Sequence, residues 1–133
     1  MVVYDPETGV FQMTRGDYAP IRCGPYVRDP ETDERTPYAM QPLDTITLTV
    51  RETADTSYPI LLQITSQPGS DRLVILSQDT KDIPPGKYSA DLQLNIDGGP
   101  QAITFWPEPP EKKRNQGAVF NFENFIINAE VTD

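Results

Sequence analysis

Histidine is missing from this chain, and cysteine occurs once, at Cys23. Together these shortages exclude zinc sites of the usual kinds, Ser-His-Asp and Cys-His catalysis, and histidine pH switches. One cysteine also rules out an intramolecular disulfide. Cys23 lies between Arg22 and Gly24 at the end of an expected strand, with no base to activate it, and reads as a passive thiol. Long apolar runs are lacking too. No segment approaches the roughly 20 residues of a membrane span, and Met-Val-Val-Tyr-Asp-Pro-Glu has neither the basic start nor the apolar core of a signal peptide. A reducing, soluble compartment is expected, or assembly into something larger there. Basic residues are scarce, 11 against 20 acids, for a net charge of −9. Such a surface repels phosphate backbones, so nucleic acid is not an expected partner. The one basic run, Lys112-Lys113-Arg114, has Glu108 and Glu111 beside it and reads as a solvated loop tip.

Proline is what the chain has in excess. Its 14 copies among 133 residues are about twice the usual share of roughly 5%. Proline at that density cuts helices short and favours strands separated by turns. The clearest strand follows Pro84-Pro85-Gly86. Tyr88, Ala90, Leu92, Leu94 and Ile96 alternate with Lys87, Ser89, Asp91, Gln93 and Asn95, giving one dry and one wet face. Asp97-Gly98-Gly99 supplies the positive-φ positions of a tight hairpin that returns from Gln101 to Trp106.

Further strands are expected at Val2 to Tyr4, Val10 to Thr14, and Asp17 to Arg22, the last anchored by Tyr18 and Ile21. Asp44 to Glu52 places Ile46, Leu48 and Val50 on one face, and Ile60, Leu62 and Ile64 repeat the pattern. Arg72 to Ser77 is a continuous apolar run, expected to be buried on both faces. A single helical turn is expected near Gln78 to Asp82, capped by Ser77, Asp79 or Thr80. In the last strand Ala118, Phe120 and Phe122 share one parity, while Phe125, Ile127, Ala129 and Val131 share the other, which predicts a β-bulge near Glu123-Asn124. Residues 23–42 and 107–117 read as long loops, and residues 1–14 as an added N-terminal hairpin. One domain over 1–133 results, an all-β, immunoglobulin-like, antiparallel two-sheet sandwich of about seven to nine strands. Its expected core is Ile46, Leu48, Val50, Leu62, Tyr88, Leu92, Leu94, Phe105 and Ile127.

Chemical constellations are sparse. Arg15-Gly16-Asp17 spells a cell-adhesion tripeptide, but Gly16-Asp17 reads as the turn between two strands. Asp29, Glu31, Asp33 and Glu34 are acidic enough for calcium yet lack the glycine and distal glutamate of a calcium loop. No catalytic, cofactor-binding or metal-ligating residue is assigned. Trp106, Tyr38 and Tyr58 near loop edges suit stacking on a sugar or a partner protein. With Pro109 and Lys112 of the proline-rich loop, they form the candidate interface.

Several pieces, in order, resemble small β-sandwich proteins of tailed bacteriophages and prophages, notably the N-terminal domain of the upper baseplate protein family. The pieces are Arg15-Gly16-Asp17-Tyr18 running to Ile21, the strand Asp44 to Glu52, the stretch Ile83 to Leu94 with its Pro, Gly-x-Tyr and Asp-x-Gln-Leu pattern, and the closing Glu130-Val131-Thr132. The likeness covers roughly residues 11–106 and 118–132. Residues 1–14, 23–42 and 107–117 depart from it, and the chain stops where those proteins continue into other modules. The resemblance implies a non-enzymatic virion component of a tail, baseplate or fibre. Its partners would be other virion proteins and further copies of itself, and its location the virion, after assembly in the bacterial host cytoplasm. It supplies no catalytic residues. The rival reading is a carbohydrate- or surface-binding module that stacks sugars on Trp106, Tyr38 and Tyr58.

Overall fold

A computed structural model describes residues 2–5, 8–53, 57–99, 101–107 and 123–130. Among the described residues, the alternating segments form strands β1 (Val2–Asp5), β2 (Val10–Thr14), β3 (Ala19–Arg22), β4 (Tyr26–Arg28), β5 (Arg35–Pro37), β6 (Thr45–Arg51), β7 (Ile60–Thr65), β8 (Arg72–Ile75), β9 (Gly86–Ile96), β10 (Gln101–Trp106) and β11 (Phe125–Asn128). One helical turn, α1 (Ser77–Thr80), precedes β9. Asp79 is the residue that caps it, accepting the Leu76 N–H at 2.8 Å. The protein is all-β and sandwich-like.

Seven strands make the main sheet, in the order β1-β2-β11-β9-β6-β7, with β10 also on β9. β3 and β8 form a second, two-stranded sheet, and β4 and β5 a third. Pairings are antiparallel except β11 with β2, which run parallel. Phe11 and Phe125 sit opposite each other in that pair, their rings stacked 5.0 Å apart.

β9 is the spine of the sheet. β6 covers one edge from Ser89 to Asn95. The other edge is shared: β10 pairs with Leu92 to Ile96 and β11 with Gly86 to Tyr88. At the gap between them stands Asn124, fully buried. Its side-chain Nδ2 donates to the Ala90 carbonyl at 2.9 Å and its Oδ1 accepts the Ala90 N–H at 2.8 Å. A primary amide carries one donor side and one acceptor, so it replaces the missing strand residue bond for bond. The bulge expected at Glu123-Asn124 falls at the border of the described residues, since Ala118, Phe120 and Phe122 lie outside them. Phe125 and Ile127 are buried on one face as their parity requires, whereas Ala129 follows the end of β11 and is exposed.

The inner faces of the main sheet and of β3–β8 enclose one core, in which Ile46, Val50, Leu94, Leu73, Ile75 and Met13 are among the most deeply buried side chains. All expected core residues belong to it except Leu92, which is half-buried at its margin. The polar face of β9 is drier than its pattern suggests. Ser89 is buried and Gln93 half-buried, because neighbouring strands contribute a ladder of small polar side chains. Asn95 Nδ2 bonds the hydroxyls of Thr45 and Thr47, and Gln63 Nε2 bonds that of Thr49.

Three local expectations are corrected. Arg72 to Ser77 is not buried on both faces: Leu73 and Ile75 point inward while Val74 and Leu76 are exposed. The second sheet has nothing outside it among the described residues. Tyr18 is exposed and anchors nothing, whereas Ile21 packs against the core. Residues 23–42 are not a plain loop but carry the β4–β5 hairpin, closed where Asp29 Oδ1 accepts the N–H groups of Glu31 and Thr32 and Asp33 takes a φ of 61°. An aspartate that bonds its own turn does this without apolar alternation. The β9–β10 turn is as expected, with Asp97, Gly98 and Gly99 all at positive φ.

Two substitutions measure this architecture. Leu94→Ala should cost about 2–5 kcal/mol in urea unfolding, with Leu92→Ala clearly below it because part of that side chain is already uncovered. Asn124→Ala should cost about 2–4 kcal/mol, since it strands a buried N–H and a buried C=O on Ala90. Asn124→Asp should be comparably damaging, a carboxylate facing that carbonyl having no proton to donate.

Candidate functional site

The main sheet and the β3–β8 sheet are unequal, and a two-stranded layer cannot cover a seven-stranded one. Where β3 ends the cover, a groove of about 430 Å³ opens over the inner face of the main sheet. Leu92, Phe105 and Phe125 line its floor, residues 20–24 one wall, and Tyr4, Tyr26 and Trp106 the rim. This opening is why Leu92 is only half-buried. Tyr4 meets Trp106 edge to face at 6.4 Å, and Tyr26 meets Phe105 likewise at 6.0 Å. Arg35 lies over the outer face of Tyr26, 4.8 Å from its centroid. The rim aromatics are therefore held in place by neighbours rather than swinging free.

Among the described residues, the wall beside the groove is an unpaired strand edge. Cys23 N–H donates to the Asp71 carbonyl at 2.8 Å, toward β8. By the alternation of an antiparallel pair, Ala19 and Ile21 face β8 as well, which leaves Pro20 and Arg22 directing their backbone to the groove. Pro20 has no N–H to leave unsatisfied, so proline is suited to this edge and blunts it. Cys23 also lines the groove but is buried, and burial, aided by the nearby Asp71 charge, raises its thiol pKa to about 12. A thiol that stays protonated is a packing group, in line with the passive reading.

Of the five residues singled out in the sequence, the three that are described, Trp106, Tyr38 and Tyr58, do not come together. Trp106 is at the groove rim. Tyr38 is tied by its hydroxyl to Asp44 Oδ2 at 2.7 Å, beside the start of β6. Tyr58 is exposed two residues before Ile60, which pairs with Arg51 at the far end of β6. Seven strand residues, roughly 20 Å, separate those ends. Pro109 and Lys112 lie outside the described residues. Tyr4 and Tyr26, which complete the rim, were missed because nothing local marks them. Tyr4 sits in an exposed four-residue strand, and Tyr26 in a segment read as loop.

Asp44 is the other residue that sequence reasoning passed over. Fully buried, it accepts bonds from the backbone N–H of Asp97, the Tyr38 hydroxyl and the backbone N–H of Gln41. These donors, the Asp97 N–H foremost, hold its carboxyl below the ordinary 3.8 although burial works against them. The same contact to Asp44 raises the Tyr38 hydroxyl. One carboxylate thus pins the segment before β6 to the β9–β10 turn. Arg15 of the adhesion-like tripeptide is equally committed, bonding Glu130 Oε1 through Nε and Nη2 at 3.1 and 2.5 Å. Gly16 N–H donates to the buried Thr80 hydroxyl. The tripeptide is a structural turn.

The Asp44 arrangement sets an acid limit on stability. With its folded pKa below 3.8, the unfolded chain takes up the proton first. The contribution is therefore complete above about pH 5 and drains away as pH falls below about 4. Wild-type unfolding midpoints, followed from neutral pH downward, should fall more steeply in that window than those of Asp44→Asn. Parallel curves would show that Asp44 plays no such part.

Among the described residues no group of three or more His, Cys, Asp or Glu could hold a metal ion, and no helix is long and apolar enough to cross a membrane. Comparison with protein families, with curated proteins and with solved structures finds no match to this chain.

Proposed function

We propose that this domain is a non-enzymatic protein–protein interaction module whose groove receives apolar side chains of a partner, and that the partner is a structural protein of a phage virion. The groove carries the first half of this reading. Its apolar floor and pre-positioned rim of Tyr4, Tyr26 and Trp106 are the residue types that dominate binding energy at protein interfaces, where large rigid aromatics lose little freedom on contact. The second half rests on the resemblance to phage β-sandwich proteins read from the sequence. On this reading the chain is made in the bacterial cytoplasm and ends in the particle.

A sugar-binding role rests on one observation, the partial exposure of Trp106 at the rim. Tyr38 and Tyr58 lie elsewhere, so no shared stacking platform reinforces it.

Three measurements separate these readings. Mass spectrometry of purified phage particles should find the chain, and a photo-cross-linking residue in place of Tyr4 should couple it to another virion protein. Absence from particles sinks the virion assignment, and a silent Tyr4 probe in particles that contain the chain sinks the groove. Glycan-array binding that Trp106→Ala abolishes, with the fold intact, would transfer the groove to a carbohydrate.

A further inference from the structure

The outer face of the β3–β8 sheet combines two features that a strongly acidic monomer has little reason to display. The first is apolar. Register pairs Pro20 with Val74, and its continuation brings Tyr18 opposite Leu76. Exposures are 59% for Tyr18, 44% for Leu76 and 37% for Val74, and Pro20 is exposed as well. Adjacent outward positions on two strands thus make one continuous apolar stripe.

The second is charge. The next outward pair in the register is Arg22 opposite Arg72. Directly opposed like charges on a sheet repel. Both residues are exposed, and among the described residues neither guanidinium has an ion-pair or hydrogen-bond partner. A chain with 20 acids and 11 bases therefore keeps two cations together at the end of an apolar stripe. An incoming carboxylate relieves the repulsion of the pair and is bound by both.

The same chain displays the complementary group. At the β4–β5 tip Asp29 is used in its own turn, and Asp33 faces Arg28, with Oδ1 3.4 Å from Nη1. Glu31 and Glu34 are exposed, and their carboxylates have no partner among the described residues. The tip is held in shape by the Asp29 turn and by Arg28 donating to the Asp33 carbonyl, so little ordering is needed on contact.

We infer that the outer face of β3–β8 is a self-association surface that receives the β4–β5 tip of a second copy, with Glu31 and Glu34 meeting Arg22 and Arg72 beside the Tyr18–Leu76 stripe. Two different patches meet, so a two-fold pair exchanges both tips, and any other rotation between copies propagates the contact as a ring or a filament. Pro20 and Arg22 also belong to one wall of the groove, but the aromatic rim of Tyr4, Tyr26 and Trp106 takes no part.

Light scattering and sedimentation on the full chain test this. The wild type should self-associate in a concentration-dependent way at low ionic strength, and salt should weaken it. Arg22→Glu with Arg72→Glu should weaken association by about tenfold or more, and Glu31→Arg with Glu34→Arg should do the same. Mixing the two variants should restore it, because each then offers the surface that the other lacks. Circular dichroism and melting temperature check that both variants fold. A wild type that stays monomeric, reversals without effect, or a mixture that fails to recover would overturn the inference. The groove reading stays testable throughout by the Tyr4 cross-linking probe, which these substitutions leave in place.

Discussion

The backbone of β9 is the constraint on which the rest depends. Eleven residues run through the middle of the sheet, and buried N–H and C=O groups must all find partners. One edge is simple, because β6 alone covers it from Ser89 to Asn95. The other is assembled from β10, β11 and the side chain of Asn124, which closes the interval at Ala90. β10 ends with Trp106 opposite Leu92 and β11 begins with Phe125 opposite Tyr88, so two strands separated in sequence lie along one edge of β9. The amide of Asn124 is what lets the edge be interrupted without an unsatisfied group.

β11, held in place by β9, in turn recruits the N-terminal strands. It pairs in parallel with β2, and β2 holds β1. Phe125 stacks on Phe11, and the carbonyls of Asn124 and Asn128 accept the N–H groups of Phe11 and Arg15. The segment that looked like an appended hairpin is therefore part of the main sheet. It also supplies Tyr4 to the groove rim, so the groove depends on both ends of the described chain.

Imbalance between the layers sets where contacts can form. The main sheet has more inner surface than β3–β8 can cover, and the uncovered part becomes the groove. The outer side of β3–β8 has no further layer among the described residues, which leaves Tyr18, Val74 and Leu76 in solvent. Buried polar groups work in the opposite direction, fixing the loops rather than offering them to ligands. Asp44 joins the segment before β6 to the β9–β10 turn, and Thr80 holds the Gly16 turn.

Alternation by itself determined β6, β7 and β9 and placed most of the expected core residues correctly, because a strand with one dry face writes its period of two into the sequence. It did not mark Met13, Leu73, Ile75 or Phe125 as core. Turn chemistry determined the β9–β10 hairpin and the bend at Gly16. The missing histidine and the single cysteine determined which catalytic and metal chemistries are closed to the chain. Only the tertiary structure decided that Leu92 lies at a margin, that Val74 faces solvent and that Tyr4, Tyr26 and Trp106 share a rim. Local pattern records that a face is apolar but not which layer stops short of covering it. Asn124 and Asp44 were illegible for a related reason. A polar residue next to a strand looks solvated until the groups it must satisfy, 34 and 53 residues away in the chain, are brought against it by the fold.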